Sequence, residues 1–146
     1  MLRRRPREGQ LGKAWGGDDT RRAVLPGIVE RGWGRIINYS GGSAFRGGGA
    51  TKAAVKLGGG FTRGLAREFG KHGITVNAIA PGTIEIERDP GLQREADLKG
   101  AVDPKVPIPR FGRPDEVAAL VVYIASKHPD SITGHCFHIN GGDYCQ

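Results

Sequence analysis

Residues 74–80 read ITVNAIA, a short apolar and partly β-branched run that ends at Pro81-Gly82. Asn77, Ala78 and Ala80 are poor choices for a strand with one wet face, but a parallel strand covered on both faces holds them. Pro81-Gly82 stops the ladder at the strand's carboxyl end, where open α/β sheets bind ligands. A second strand is predicted over Arg35 to Ser40 and a third over Cys136 to Asn140. Between them the apolar spacing changes to the helical period. Val117, Leu120, Val121 and Ile124 form an i, i+3, i+4, i+7 stripe behind Pro114, Asp115 and Glu116, which predicts a helix over Pro114 to Ser126. Phe61, Leu65 and Phe69 mark another helix over about Thr51 to Phe69, with a break or late start expected at Gly58 to Gly60 because each interior glycine costs about 1 kcal/mol against alanine. A helix end is expected near Val24 to Arg31. The order is βαβαβ, which implies an α/β fold with parallel strands and right-handed crossovers.

The length of 146 residues suits one domain, and the 38% hydrophobic content suffices for a modest core. A full dinucleotide-binding domain of two βαβαβ halves needs more chain. The net charge of +7 is concentrated early: residues 1–22 carry seven Arg/Lys against three Asp/Glu. That stretch reads as a basic, disordered arm, with residues 23–146 as the folded part. LRRRPR at 2–7 could meet nucleic acid, but no aromatic platform accompanies it, and a solvated tail is the expectation. No run approaches the roughly 18 apolar residues of a membrane span, and no secretory signal is visible, so the expected location is the cytoplasm. Cys136 and Cys145 are expected to be free thiols. His135 and His138, three apart on a strand, point to opposite faces, and no metal site is expected.

Taken in order, GRIINYS at 34–40, ATKAAV at 50–55, GLAREFGKHGITVNAIAPGTI at 64–84, GRPDEVAALV at 112–121 and ITGHCFHINGG at 132–142 carry a family pattern. The chain resembles the carboxyl-terminal half of a short-chain dehydrogenase/reductase, nearest to the 3-oxoacyl-acyl-carrier-protein reductase-like members. The resemblance implies part of a Rossmann-type parallel sheet of about three strands with flanking helices. It implies NAD or NADP as cofactor, hydride exchange with a small carbonyl or alcohol substrate, and a homo-oligomer built through the helix after Lys52 and the last helix and strand. Lys52, which alone would read as a solvated lysine, matches the family lysine that holds the ribose and lowers the pKa of a catalytic tyrosine. Pro81, Gly82, Thr83 and Ile84 match the loop that meets the nicotinamide carboxamide, Thr83 by its hydroxyl and Ile84 by its backbone.

The pattern is incomplete. Position 48, four before Lys52, is glycine where the family has its proton-transferring tyrosine. The family's strand-end serine falls on Gly41, and Ser40 and Ser43 are the nearest hydroxyls, each also readable as an ordinary turn serine. Tyr123 and Lys127 satisfy Tyr-x-x-x-Lys literally, but they follow the ligand loop at the end of a helix, and Tyr123 reads as a packing residue. No Gly-rich phosphate cradle is present. Two readings follow: an oxidoreductase chain, truncated and impaired when alone, or a non-catalytic interaction and oligomerisation module on the same scaffold.

Overall fold

The structure, a computed structural model, describes residues 18–42, 58–85 and 102–145. Its elements follow the order α1 (Asp18–Arg31), β1 (Gly34–Tyr39), α2 (Gly58–Phe69), a 3-10 turn (Gly70–His72), β2 (Ile74–Pro81), α3 (Pro114–Ala125) and β3 (Cys136–Ile139). The strands form one sheet in the order β1-β2-β3, parallel throughout. The expected α/β architecture with three parallel strands is what the molecule has.

Register decides which face each residue serves. Ile36 lies beside Val76, while Tyr39, Ile79 and Phe137 share one row across all three strands. On one face, Ile74 and Val76 meet Ala66, Leu65 and Phe69 of α2, Ile28 and Val29 of α1, and Ile36. On the other, Ile79, Ile37, Phe137 and Ile139 meet Val117, Leu120, Val121 and Ile124 of α3. The predicted stripe on α3 is thus the face that covers the sheet. Seven consecutive residues of β2, Ile74 to Ala80, are buried. This two-sided burial explains the absence of polar alternation in ITVNAIA.

Burial on both sides requires internal partners for every polar group in β2. The Asn77 side chain donates from Nδ2 to the Ile132 carbonyl at 2.8 Å and accepts the His135 N–H on Oδ1 at 3.2 Å. The Thr133 hydroxyl accepts the Val76 N–H at 2.9 Å, taking the place of a strand carbonyl before β3 begins. The Asn38 side chain donates to the Thr62 hydroxyl at 2.9 Å, joining β1 to α2 within the core. Arg35 reaches the other end of the domain: its Nε donates to the Ser126 carbonyl at 2.9 Å, its guanidinium pairs with Asp130, and its Cζ lies 4.8 Å from the Trp33 ring centroid.

One boundary differs from the sequence reading. Asp18 to Arg22, assigned to the disordered arm, belong to α1, because helix formation is cooperative and the turn anchored by Ile28 and Val29 propagates toward the amino terminus. This occurs despite Pro26 inside the helix. The described part of α2 begins at Gly58, in keeping with the late start expected at Gly58 to Gly60, and Thr62 and Ala66 bury that helix against the sheet. The residues before Gly58 in the predicted helix, and residues 1–17 of the arm, lie outside the described residues. No described helix is long and apolar enough to cross a membrane.

Asn77→Leu keeps the volume but leaves the Ile132 carbonyl and the His135 N–H without their side-chain partner. At about 1–3 kcal/mol per buried unsatisfied group, the variant should lose about 2 kcal/mol or more, read as a lower urea midpoint at unchanged slope.

Candidate active site

The carboxyl ends of all three strands point the same way, so the residues that follow them gather at one edge of the sheet. β2 ends at Pro81, which has no N–H to continue a ladder. The Gly82 N–H then donates to the Ile139 carbonyl at 2.9 Å, and a Cβ placed on Gly82 would sit 2.8 Å from the Asn140 Cα. Glycine is required here because the backbone after β2 lies directly on the turn after β3.

The next residues are strapped from the other side. Gly112 N–H donates to the Thr83 carbonyl at 2.9 Å and Glu85 N–H donates to the Gly112 carbonyl at 2.8 Å, forming an isolated parallel bridge between Ile84 and Gly112. In a bridge of this pattern Gly112 spends both of its own groups on the neighbours of Ile84, so the Ile84 N–H and C=O point to the opposite side. The Thr83 side chain is exposed beside them. The loop therefore carries the Thr83 side chain and an outward-facing backbone donor–acceptor pair at Ile84 on a fixed support.

A charged network holds the strap. Arg110 makes two hydrogen bonds to Glu116, Nη1 to Oε2 at 3.0 Å and Nη2 to Oε1 at 2.6 Å, and the Arg113 N–H at the start of α3 donates to the same Oε2 at 2.7 Å. The Arg110 guanidinium and this backbone donor hold the Glu116 carboxyl down to about 2. On the far side, the Ile108 N–H donates to the Gly141 carbonyl at 2.9 Å. Gly141 has φ +67°, and a Cβ there would stand 2.7 Å from the Ile108 carbonyl oxygen. Between these walls lies a cleft of about 460 Å³, with Thr83, Arg110, Glu116 and Asn140 on its lining.

Of the residues named from sequence, Pro81, Gly82, Thr83 and Ile84 come together at this edge. Ser40 is at the same edge, one residue beyond the Tyr39–Ile79 pair, buried, with its N–H held by the Ile79 carbonyl at 2.7 Å. Lys52 and Ser43 lie outside the described residues. Tyr123 is not the packing residue expected of it: it is 49% exposed, on the side of α3 turned away from the sheet. His138 stacks against Tyr144 at 5.4 Å between centroids, His135 is exposed, and no cluster of metal-ligating residues occurs among the described residues. Cys136 and Cys145 are free thiols, and burial pushes the Cys136 thiol up against the opposing pull of Arg63.

The strap was missed from sequence. One signal was available: Glu116 stands three residues after Arg113, the spacing at which a carboxylate caps the start of a helix. The pairing of Ile84 with Gly112, 28 positions apart, leaves no such local trace.

Residues 19–143 match the protein family described as Enoyl-(Acyl carrier protein) reductase. The chain is 43% identical over 122 residues to nodulation protein G of Azospirillum brasilense, a match that covers 82% of this chain and 49% of that protein. It is 41% identical over 126 residues to the 3-oxoacyl-[acyl-carrier-protein] reductase of Vibrio harveyi, covering 84% and 51% respectively. It is 40% identical over 124 residues to the acetoacetyl-CoA reductase of Shinella zoogloeoides, covering 83% and 51%. Among solved structures, the 3-oxoacyl-[acyl-carrier protein] reductase from Brucella melitensis superposes with a TM-score of 0.74 at 34% identity, over 88% of this chain and 49% of that one. The chain spans about half the length of the relatives it matches.

The depressed Glu116 carboxyl sets an acid limit on the strap. A carboxyl whose folded pKa of about 2 lies below its ordinary value near 4.5 contributes stability above the ordinary value and loses it as pH falls through the folded one. Thermal melts of the native chain and of Glu116→Gln should therefore differ at pH 6 and converge as the pH is lowered from about 4.5 toward 2.

Proposed function

The chain belongs to the short-chain dehydrogenase/reductase family, and from that premise we propose that it supplies the nicotinamide-facing half of an NAD(P)-dependent oxidoreductase. The reaction is hydride transfer between NAD or NADP and a small carbonyl or alcohol, in the cytoplasm and within a homo-oligomer. The observation that carries this reading is the Pro81–Ile84 loop. It leaves the carboxyl end of a strand buried on both faces, it is pressed on Asn140 through Gly82, and it is strapped to Gly112 so that the Ile84 backbone faces outward.

The bound cofactor would supply the hydride. Thr83 and the Ile84 backbone would hold the carboxamide and so fix which face of the ring meets the substrate. Ser40 or Ser43 would donate a hydrogen bond to the substrate oxygen. Lys52 would bind the ribose hydroxyls, and its charge would lower the pKa of a nearby proton donor. Fixed positioning of this kind is worth most when the supporting backbone does not move on binding, and the strap around Thr83 and Ile84 meets that requirement.

A second reading rests on one observation of the sequence: residue 48 is glycine, not the tyrosine of the family. Without that hydroxyl, general-acid help on the order of 10²- to 10⁴-fold is lost, and the scaffold would serve as a non-catalytic interaction and oligomerisation module.

Titration of the purified chain with NADH and NADPH, followed by cofactor fluorescence, separates the two. Saturable binding that Thr83→Val weakens by about 3- to 10-fold, the worth of one hydrogen bond, supports the oxidoreductase. No binding of either cofactor at millimolar concentration leaves only the interaction module.

A further inference from the structure

β3 and the segment after it bring the chain's two cysteines to one cleft. Alternate residues of a strand share a face. Phe137 and Ile139 turn to α3, so Cys136 and His138 turn to the α2 side of the sheet. Gly141 and Gly142, with φ of +67° and +87°, then reverse the chain in a turn closed by the Asp143 N–H on the Asn140 carbonyl at 3.2 Å. The returning Tyr144 ring lies against His138, with 5.4 Å between centroids. Asn140 clasps this return: its Nδ2 donates to the Tyr144 carbonyl at 2.9 Å and its Oδ1 accepts the Gly142 N–H at 3.0 Å. Cys145, the next residue, lines with Cys136 a cleft of about 530 Å³ that Gly59 and Arg63 of α2 also border.

The two thiols differ in access and in surroundings. Cys145 is exposed, and its thiol donates to the Gly142 carbonyl at 3.7 Å, a weak contact that is easily given up. Cys136 is half-buried; burial pushes its thiol up, and the Arg63 guanidinium pulls the other way. Among the described residues no carboxylate lines the cleft to oppose that cation. An oxidant from solution therefore meets Cys145 first, and Cys136 is placed to act on what forms there, with Arg63 favouring its thiolate.

We propose that Cys136 and Cys145 are a thiol–disulfide exchange pair, which a small-molecule disulfide of the glutathione type closes into an intramolecular bond across the Asn140–Gly142 turn. The Cys145 thiolate attacks one sulfur of oxidised glutathione, that S–S bond breaks, and one glutathione leaves as its thiolate, balancing the proton that Cys145 gave up. The Cys136 thiolate then attacks the Cys145 sulfur, the mixed disulfide breaks, and the second glutathione leaves. Two protein thiols are oxidised and one glutathione disulfide is reduced to two thiols. The bond needs Cα atoms about 4.4–6.8 Å apart, so Cys145, which follows the last bond of the Asn140 clasp, exchanges its contact with Gly142 for one with β3. The turn thus clipped backs the cleft at the carboxyl edge: Gly82 lies on the Asn140 Cα, and the Gly141 carbonyl accepts the Ile108 N–H at 2.9 Å. Oxidation therefore stiffens the support of the Pro81–Ile84 loop, whether or not a nicotinamide binds there. In a reducing compartment such a bond is transient, which suits a switch.

The test incubates the full reduced chain with excess oxidised glutathione, blocks remaining thiols with iodoacetamide, and reads intact and peptide masses. The expected product is a monomer lighter by two hydrogens, free of glutathione, with the Cys136 and Cys145 peptides joined and both thiols recovered by dithiothreitol. Amide exchange at Gly142 and Asp143 should slow by about 10-fold in the oxidised form. Cys136→Ser should stop at a glutathione adduct on Cys145, and Cys145→Ser should react about 10-fold more slowly than the native chain. Arg63→Gln should take up the first glutathione at the native rate but close the bond several-fold more slowly. The native chain alone overturns the proposal if it keeps a stable glutathione adduct, joins two chains instead of closing within one, or retains both thiols. Cys145→Ser reacting as fast as the native chain overturns it as well.

Discussion

A parallel strand covered on both faces has no water to satisfy its polar groups, and the rest of this structure depends on how β2 meets that constraint. Its odd-numbered residues turn their backbone toward β1 and its even-numbered ones toward β3, and the ladder to β3 is completed before β3 begins. The Thr133 hydroxyl accepts the Val76 N–H, and the Asn77 amide bonds the chain at Ile132 and His135. A polar side chain in the middle of the core thus guides the last strand into register. An apolar residue of the same size would fill the space but would not specify where residues 132–135 run.

The same placement of β2 produces the cleft at the carboxyl edge of the sheet. Once the central strand stops at Pro81, the backbone beyond it can stay close only by lying against its neighbours. It does so at Gly82 over Asn140 and at Ile84 beside Gly112. The cleft is therefore bounded by backbone that is bonded on both sides, with the Arg110–Glu116–Arg113 network fixing the approach of α3. Pre-positioned backbone donors and acceptors need no rearrangement when a ligand arrives, which is the main contribution a scaffold makes to affinity and orientation.

What could be read from sequence follows the range of each interaction. ITVNAIAPG revealed β2, its two-sided burial and the loop beyond it because the information is contiguous. The α3 stripe and its acidic start were legible for the same reason, whereas the role of Glu116 as partner of Arg110 was not. Asn77 was legible as an oddity in a strand, but its role was not, since its partners are 55 and 58 residues away. Tyr123 was misread because its position on α3, one step past the apolar stripe, turns it to the outside. The extent of α1 escaped because its first turn has little signal of its own and is carried by packing further along. Gly58 to Gly60 signalled a late helix start, which is where the described part of α2 begins, and Thr62 and Ala66 then pack it on the sheet. Gly41 and Gly48 mark departures from the family pattern that only comparison with a pattern could make visible.

Arg35 is an arginine at the start of the first strand whose partners, Ser126 and Asp130, lie 91 and 95 residues later. In terms of the folding reaction, this contact closes a loop of 91 to 95 residues, and such closures form late because their entropy cost is met only after the intervening chain is ordered. Once made, it links the fate of the two ends of the fold: fraying at the entry to β1 releases the turn that delivers β3, and loosening of that turn frees β1. The arginine thereby converts three strands contributed from distant parts of the sequence into a single cooperative unit, and sub-global opening that spares one edge of the sheet becomes costly.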